Sequence, residues 1–436
     1  MLNKLKRAAL GAHTPHDKAT AASKPVPMPL PAQVRILMSQ HIGAPAKALV
    51  KKGDEVFVGT KIGEAGGFVS ANIHSSVSGT VAAVEPFRLS NGRMCDSVVI
   101  KTDGKQTVDP AVKAPEVTDK ASFLAAVREC GLVGLGGAGF PTDVKLQPKP
   151  PVDTLLINAS ECEVWLTSDT QEMLNCSDDI IRGIEAVLKY VGIPKCVIGI
   201  ENNKPECIDL LCQKTKDKPA IEVKPLPSVY GTGAELILIE KCLGREVPHG
   251  GLPADAGAIV MNVTSVSTLG KFLKTGMPLV SKRVTVDGSA VQNPQNVIVP
   301  IGTKIREVME FCGGYKEEPQ KLIMGGPMMG VAVTTDELPV LKQNNGLLAF
   351  GAEEARLLEP TDCIRCGRCV AACPMNLVPA KLEKYAERKD VEMLKKLDIM
   401  TCMECGCCAF SCPAKRRIVQ AIRLGKYYVK KEAAKK

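Results

Sequence analysis

The sequence predicts a multidomain fold of mixed α/β and α+β class. Three observations support this prediction: short strands with turns fill residues 34–102, buried strands alternate with helices between 118 and 275, and half of the 18 cysteines follow residue 362. A chain of 436 residues has room for about three domains, because single domains commonly have roughly 100–200 residues. An apolar fraction of 45% is enough to build several hydrophobic cores.

The N-terminal part predicts an arm followed by a small β domain. The N-terminal arm, residues 1–33, is rich in Pro, Lys and Ala and reads as extended chain. In the next block, 34–107, Lys51–Gly59 places a Gly-Asp turn between apolar runs, which predicts a hairpin. This block resembles the lipoyl/biotinyl barrel-sandwich fold, whose carrier members present a modified lysine at a hairpin tip. The matching stretch, Phe68–Ser75, contains no lysine, so we expect a structural or docking role.

A Rossmann-like α/β domain is predicted at residues 118–275. Asp119 is the expected N-cap of a helix that reaches Cys130. Thr154–Asn158 and Cys196–Ile200 have the composition of short buried strands, and helical segments follow each of them. Such alternation is typical of parallel strands joined by helices.

A glycine run follows the first predicted helix of this domain. Gly134, Gly136 and Gly139 match G-x-G-x-x-G by letter, but a helix precedes them and Pro141 follows, which disfavours a conventional dinucleotide-binding turn. Two interpretations remain: a turn for close packing, or a loop whose N–H groups approach a phosphate or a flat ring, with Lys145 supplying positive charge.

Polar residues follow the predicted strand that begins at Thr154. Asn158, Glu161 and Glu163 stand where ligand contacts concentrate in parallel sheets. An amide and two acids suit the hydroxyl groups of a ribityl or ribose chain, and they suit equally well the N-cap of a helix. The residues alone leave both possibilities open.

Two further domains are predicted towards the C-terminus. Strand-like runs around one helix, Lys304–Cys312, indicate a β-grasp domain at residues 280–350. The segment 353–425 contains the cysteine-rich text and one predicted helix, Val378–Asp398, and a basic tail follows at 426–436.

Two cysteine runs in that segment share the spacing C-x2-C-x2-C-x3-C-P. Bacterial two-cluster ferredoxins hold their [4Fe–4S] clusters with this spacing, and the fourth cysteine of each run reaches the neighbouring cluster. Structural zinc usually takes two C-x2-C pairs, and a disulfide framework needs an oxidising compartment, so both are disfavoured. Cys407 is an additional thiol that we expect to be a bystander. We predict two crossed ligand sets: Cys363, Cys366, Cys369 and Cys412 for one cluster, and Cys402, Cys405, Cys408 and Cys373 for the other.

Composition excludes several classes of function. The remaining cysteines lack metal-binding spacing and are expected to be reduced thiols in a reducing cytoplasm. We expect no signal peptide at Met1–Leu10, no transmembrane helix and no nucleic-acid module. The formal charge of +9 suits an acidic partner or an anionic membrane face.

A family resemblance joins these motifs. Gly134–Lys145 and Asn158–Glu163 resemble the FMN- and NADH-binding flavoprotein subunit of respiratory complex I, whose text runs near G-R-G-G-A-G-F-P-T-G-x-K and N-A-D-E-x-E-P. The order of a barrel-sandwich block, a flavoprotein-like domain, a β-grasp domain and a two-cluster ferredoxin resembles the C-subunit family of the Rnf electron-transport complex. Stretches 39–46, 244–255 and 321–330 are of the kind that this family carries.

The resemblance implies roles for individual residues. Glu161, Glu163 and Glu235 become the candidate catalytic carboxylates, and Phe140 and Glu163 are expected on the NADH side. The implied cofactor-binding set is Gly134, Gly136, Gly137, Ala138, Gly139, Phe140, Lys145, Asn158, Ser160, Glu161, Tyr230, Gly233, Glu235, Asn262 and Thr264.

Four departures from the complex I text affect the NADH side. Leu135 replaces an arginine, Ser160 an acid, Val164 a proline and Leu146 a tryptophan. The departures make the NADH contacts harder to assign than the FMN glycines.

The resemblance also implies a function, namely a peripheral subunit of a ferredoxin:NAD⁺ oxidoreductase. It would carry FMN, NAD(H) and two [4Fe–4S] clusters at the cytoplasmic side of the cell membrane. Its partners would be the integral-membrane and other subunits of the Rnf complex, which couple electron flow to Na⁺ or H⁺ transport, and ferredoxin through that complex. The alternatives are a soluble relative that feeds another reductase, such as a cobalamin reductase or a proline-reductase partner, and an iron–sulfur wire without flavin.

Overall fold

Two small sheets enclose the core of the N-terminal block. The computed structural model describes residues 11–434, so the first ten residues of the N-terminal arm and the last two of the basic tail lie outside the described residues. One sheet has the order β2-β8-β7-β4 and the other β3-β5-β6, with Val34, Ile36 and Ile62 buried between them. The strands are β1 (Val26–Pro27), β2 (Gln33–Leu37), β3 (Lys47–Ala48), β4 (Glu55–Val56), β5 (Lys61–Glu64), β6 (Ile73–His74), β7 (Gly79–Arg88) and β8 (Met94–Thr102).

The hairpin predicted at Lys51–Gly59 is wrong. Strand β3 pairs with β5, and β4 pairs with β7 of the other sheet. The Gly-Asp turn therefore carries the chain from one sheet to the other instead of folding it back on itself.

A parallel sheet forms the centre of the next domain. Its order is β11-β10-β9-β12, and every neighbouring pair is parallel, as expected from the alternation of strands and helices. The strands are β9 (Thr154–Ala159), β10 (Lys195–Glu201), β11 (Ile221–Leu226) and β12 (Ala258–Asn262). The helices are α1 (Lys120–Glu129), α2 (Thr142–Lys145), α3 (Ser168–Asn175), α4 (Ser177–Val187), α5 (Pro205–Thr215), α6 (Glu235–Leu243) and α7 (Val263–Thr275).

One helix of this domain begins at a predicted cap, and two short helical turns flank other elements. The side chain of Asp119 accepts the N–H of Ser122 and caps α1, which confirms the predicted N-cap. A π-helical turn, Leu188–Gly192, extends α4, and a 3₁₀ turn, Pro253–Ala256, precedes β12.

The third domain is a six-stranded mixed sheet with one helix. The order is β1-β14-β13-β17-β15-β16, and α8 (Ile305–Phe311) packs Ile305, Val308 and Met309 into its core. The strands are β13 (Ser281–Asp287), β14 (Gln295–Pro300), β15 (Lys321–Met324), β16 (Val331–Val333) and β17 (Gly346–Phe350). Strand β1 comes from the N-terminal arm and pairs in parallel with β14, so the arm contributes to this sheet.

The C-terminal segment is helical around its cysteine loops. Its elements are α9 (Arg368–Ala371), α10 (Pro379–Glu387), α11 (Val391–Lys396), α12 (Cys407–Phe410) and α13 (Ile418–Ala433), with a 3₁₀ turn at Ile399–Thr401. The stretch Val378–Asp398, predicted to be helical, forms two helices, because Lys389 has φ 55° and Asp390 caps the second helix by accepting Met393 N at 3.1 Å. Among residues 11–434, no helix combines the length and apolar character needed to cross a membrane.

Candidate functional site

The parallel sheet reverses its strand order between β9 and β12. The chain passes from β9 outward through β10 to β11, and then crosses back to place β12 on the other side of β9. Asn158 and Asn262 are register partners at the carboxyl ends of these two strands. In open parallel sheets, ligands bind in the crevice at such a switch point.

The glycine loop, residues 134–140, lies over this crevice. Gly134 N donates to Phe140 O at 2.8 Å and Gly139 N donates to Gly134 O at 3.0 Å, which closes the loop on itself. A Cβ built on Gly136 would lie 3.3 Å from Asn262 Nδ2, so the loop touches the end of β12. Residues 136–138 are exposed, Gly137 has φ +111°, and a Cβ built on Gly137 would meet no atom within 4 Å. The loop therefore combines close contact on one side with open space on the other.

The two asparagines at the strand ends hold neighbouring loops. Asn158 Nδ2 donates to Gly233 O at 2.7 Å. Asn262 Nδ2 donates to Asp169 Oδ2 at 2.7 Å, while its Oδ1 accepts Thr264 N at 2.9 Å and caps α7. Thr264 Oγ1 donates to the other oxygen of Asp169 at 2.6 Å. The amides thus arrange the walls of the crevice through contacts within the protein.

Glu161 caps helix α3 with both carboxylate oxygens. Oε1 accepts Asp169 N at 2.6 Å, and Oε2 accepts Thr170 N at 3.0 Å and Thr170 Oγ1 at 2.5 Å. Glu161 itself has φ +47°, a strained conformation for a residue with a side chain. Of the two interpretations of Glu161 that the sequence allowed, the structure contains the helix cap. A cofactor role for Glu161 stays a prediction.

Two lysines that the sequence does not point to fix the loop after β9. Lys18 Nζ, from the N-terminal arm, donates to the carbonyl oxygens of Glu161, Glu163 and Leu166 at 2.9, 2.7 and 2.6 Å. Burial lowers the pKa of Lys18, and the carboxylate of Glu161 opposes that effect. Lys204 Nζ donates to Ser160 O at 2.6 Å. Neither lysine could be found from local patterns, because each acts on a segment distant in sequence.

Glu163 faces the third domain. Its carboxylate accepts Met329 N at 2.8 Å and Met328 N at 3.1 Å, and Tyr230 Oη donates to it at 3.4 Å. Burial raises the pKa of Glu163, and these donors oppose the shift. The predicted NADH-side acid thus joins the β-grasp loop to the flavoprotein-like domain, and its role towards NADH stays a prediction.

Lys145 and Glu235 form an ion pair at the edge of the crevice. Lys145 Nζ lies 2.6 Å from Glu235 Oε1 and donates to Val260 O at 3.0 Å. Helix α6 begins at Glu235 without a side-chain cap. Ser160 is fully buried at the other side of the loop, and its Oγ has no hydrogen-bond partner.

The nine cysteines of the two runs line two cavities, and each cavity takes one predicted ligand from the other run. The distal cysteine cavity is lined by Cys363, Cys366, Cys369 and Cys412. The proximal cysteine cavity is lined by Cys402, Cys405, Cys408 and Cys373, and also by Cys407, the additional thiol expected to be a bystander. Within residues 11–434, no group of three or more His, Cys, Asp or Glu side chains is arranged to hold a metal ion.

The proximal cysteine cavity lies against the flavoprotein-like domain. Tyr230 is buried and its Oη donates to Cys405 O at 2.9 Å. A Cβ built on Gly231 would lie 3.9 Å from Cys407 Sγ, and Cys407 is fully buried. In the distal cysteine cavity, by contrast, Cys363 and Cys366 are exposed.

Models of four families match: the RnfC barrel sandwich hybrid domain at residues 6–105, the Nuo51 FMN-binding domain at 127–271, the SLBB domain at 283–332 and the 4Fe-4S dicluster domain at 362–415. The C subunit of the Na(+)-translocating ferredoxin:NAD(+) oxidoreductase complex of Acetobacterium woodii is 43% identical over 422 residues, 95% of each chain. The chain belongs to the Rnf C-subunit family.

Other relatives agree with this membership. The C subunit of the proton-translocating ferredoxin:NAD(+) oxidoreductase complex of Clostridium ljungdahlii is 42% identical over 97% of this chain and 93% of that protein. The C subunit of the ion-translocating oxidoreductase complex of Rhodobacter capsulatus is 36% identical over 88% of this chain and 76% of that protein. An NAD+-reducing [NiFe]-hydrogenase in the air-oxidized state shares the fold at a TM-score of 0.50 and 17% identity, over 70% of this chain and 63% of that chain.

The residues of this member of the Rnf C-subunit family fit the cofactors of its matched domains. Each cysteine cavity contains the four predicted ligand thiols, the number that a [4Fe–4S] cluster takes, and Cys407 is a fifth thiol at the proximal cysteine cavity. The exposed glycine loop, with its positive φ at Gly137 and open space above it, fits a flat ring or a phosphate of FMN at the switch point. The fold class expected from the sequence is confirmed by the four matched domains.

Proposed function

We propose that this chain is the peripheral NADH-, FMN- and iron–sulfur-containing subunit of a membrane-bound, ion-translocating ferredoxin:NAD⁺ oxidoreductase. The observation that carries the proposal is the contact between Tyr230, in a loop of the FMN-binding domain, and Cys405 of the proximal cysteine cavity. This contact joins the matched flavin domain to the matched dicluster domain. The names of the curated relatives supply the reaction.

The residues of the chain position the reactants. When bound, FMN exchanges hydride with a nicotinamide and the clusters exchange single electrons. The glycine loop gives close access from the open side of the crevice, and Asn262, Asp169 and Asn158 keep the crevice walls in place. We retain the predicted cofactor-binding residues and the crossed cysteine sets as part of this proposal.

The two cavities differ in their access to partners. The proximal cysteine cavity lies against the FMN-binding domain through Tyr230, whereas Cys363 and Cys366 of the distal cysteine cavity are exposed beside Arg365 and Arg368. Exposed guanidinium groups favour an acidic electron carrier. We infer that electrons pass between the protein and the rest of its complex at the distal cysteine cavity.

We place the chain at the cytoplasmic side of the membrane, bound to integral subunits that move Na⁺ or H⁺. The full-length similarity to subunits of translocating complexes supports this location. Co-purification with integral-membrane subunits tests it directly. A native protein that is purified without any such partner would contradict this part of the proposal and favour a soluble relative feeding another reductase.

Anaerobic reconstitution tests the cofactors. Flavin is counted by fluorescence after denaturation, iron is counted chemically, and NADH is then titrated while flavin absorbance is followed. We expect one flavin and about eight irons per chain, with bleaching on NADH addition. Iron without flavin would refute the proposal.

An iron–sulfur wire without flavin is the second candidate. One observation favours it: the polar groups of Asn158, Glu161 and Asn262 have partners within the protein. The same reconstitution separates the two, because the wire would contain the iron and show no flavin spectrum.

A further inference from the structure

The barrel-sandwich domain is packed against the base of the glycine loop. Ala71 belongs to the stretch that corresponds to a carrier hairpin, and it is buried in the core of the FMN-binding domain. Asn72 Nδ2 donates to Glu129 Oε2 at 3.1 Å, and a Cβ built on Gly131 would lie only 2.4 Å from Asn72 O. The position where a carrier would present its lysine is therefore occupied by a docking contact just before the glycine loop.

Lys342 of the third domain fastens this junction. Its Nζ donates to Asn72 O at 2.6 Å and to Gly131 O at 2.7 Å. Its backbone N–H donates to Gln40 Oε1 at 3.0 Å. One fully buried lysine thus connects the barrel-sandwich domain, the start of the glycine run and the third domain.

A second loop of the barrel-sandwich domain reaches the glycine loop itself. Ile42 N donates to Gly139 O at 3.0 Å, and a Cβ built on Gly139 would lie 3.6 Å from His41 Cα. His41 Nε2 accepts Ala71 N at 3.2 Å and lies 3.1 Å from Ser70 Oγ, which ties this loop to the docked stretch. Burial lowers the pKa of His41 to about 4, so the ring is neutral at neutral pH.

The side chain of Ile42 is exposed where the loops meet. Ile42 is 52% exposed, although its backbone is bonded to Gly139. Residues 136–138 of the glycine loop are exposed as well, and the half-buried Phe140 follows Gly139. Gly136 contacts Asn262 in the crevice, whereas Gly139 and Ile42 lie at the opposite end of the loop. The flavin is expected over the crevice, next to Gly136. An apolar side chain at the other end of the loop therefore suits the second ligand of the site, the nicotinamide nucleotide.

We propose that the barrel-sandwich domain is part of the nucleotide site: its Ile42 loop fixes Gly139, and the Ile42 side chain forms an apolar wall for the nicotinamide ring. This inference rests on the proposed function, because it requires NADH to bind beside the glycine loop. It gives the barrel-sandwich domain a role in specificity for a planar nucleotide ring.

The test compares Ile42→Ser with Leu49→Ser in the full reconstituted chain. Leu49 is in the same domain and 51% exposed, so the two substitutions remove equally accessible apolar groups. Flavin content, iron content, melting temperature and the NADH dissociation constant are measured for both. We expect Ile42→Ser to weaken NADH binding about tenfold, the effect of losing one apolar contact, with flavin, iron and melting temperature at wild-type values. Leu49→Ser should match the wild type throughout.

The remaining outcomes each overturn the inference. Unchanged NADH affinity in Ile42→Ser would show that the Ile42 side chain does not contact the nicotinamide ring, and it would leave the proposed function intact. Loss of flavin from Ile42→Ser would place Ile42 at the flavin instead. A wild-type protein that contains flavin but does not bind NADH would refute the proposed function, and the inference with it.

Discussion

The hydroxyl of Tyr230 donates a hydrogen bond to the carbonyl oxygen of Cys405 at 2.9 Å, across the boundary between the FMN-binding and dicluster domains. Tyr230 is 3% exposed, and its backbone also pairs with Ala12 of the N-terminal arm. Burial raises the pKa of Tyr230, with the neighbouring Glu163 adding to the shift, so the phenol remains protonated and keeps donating. The loop of one domain and the cysteine loop of the other are therefore held in a fixed relation.

Tyr230→Phe should loosen that relation without emptying either site. The change removes the buried hydroxyl, which donates to Cys405 O and also lies 3.4 Å from Glu163 Oε1, at a cost of about 1–2 kcal/mol. We expect normal flavin and iron, a lower melting temperature and slower reduction of the clusters by NADH in stopped-flow measurements. Tyr427→Phe, at an exposed tyrosine of α13, is the control. Cluster reduction at the wild-type rate would show that the Tyr230 contact does not set the distance between the sites.

Pairs of cysteine substitutions test the crossed cavities. Cys363 and Cys412 line the same cavity although they belong to different runs, so Cys363→Ala with Cys412→Ala should remove only one cluster and leave about four irons. Cys363→Ala with Cys373→Ala should affect both cavities and remove nearly all of the iron. Iron analysis after anaerobic reconstitution gives the answer. The reverse result for the two pairs would mean that each run holds its own cluster.

Glu161→Gln should weaken flavin retention by way of helix α3. The carboxylate accepts three hydrogen bonds at the start of this helix, and an amide keeps only one acceptor oxygen there, at a cost of about 1–2 kcal/mol. We expect a lower melting temperature together with faster loss of flavin during gel filtration. Glu222→Gln, at an exposed acid of β11, should change neither. Flavin loss without a stability change would instead indicate a direct contact between Glu161 and the cofactor.

Local signals in the sequence are enough to predict some elements but not the contacts between distant segments. Asp119 caps α1 through Ser122, only three residues away, so this cap can be predicted from the sequence. The cysteines of each run are also only two or three residues apart, so their grouping around a cavity can be predicted in the same way. The break at Lys389 and the crossing of the chain at Gly53 and Asp54 depend on packing partners elsewhere in the fold.

In the candidate site, too, features set by local sequence can be predicted and contacts between distant segments cannot. The glycine loop and the strand-end residues are predictable because parallel sheets place ligands at strand ends. Asp169 and Lys18 escape prediction, since their partners Asn262 and Glu163 are far away in sequence. Asp169 does follow Thr167 and Ser168, which is a helix-start signal, but that signal does not identify the amide it orients.

Lys18→Met tests whether the N-terminal arm stabilises the loop after β9. The ammonium group donates to three carbonyl oxygens, and methionine fills a similar volume without a donor. Leaving these acceptors unpaired costs about 2–3 kcal/mol, so we expect a clear fall in melting temperature. Lys24→Met, at an exposed position of the same arm, is the matched control. Equal melting temperatures for the two variants would show that the Lys18 contacts add no stability.

Lys342 predicts a pH dependence of stability. Burial lowers its pKa from 10.5 to about 7. Burial also lowers the pKa values of the nearby His41 and His74, so their charge in the folded chain does not change above pH 7. Burial raises the pKa of Cys130 from 9.0 to about 12, so Cys130 acts in the opposite direction to Lys342 above pH 9. At Lys342, between pH 7 and 10.5, the unfolded chain therefore binds a proton that the folded chain has released.

The contribution of Lys342 to the free energy of unfolding should consequently rise with pH between 7 and 10.5, by up to about 1.4 kcal/mol per pH unit. Lys342→Met removes the titrating group, so its stability profile should be flatter over that range in denaturant titrations at pH 7, 8 and 9. Lys316→Met, at an exposed lysine of the third domain, is the control and should keep the wild-type slope. Parallel profiles for the wild type and Lys342→Met would mean that Lys342 keeps its proton at the junction, held by the carbonyl oxygens of Asn72 and Gly131.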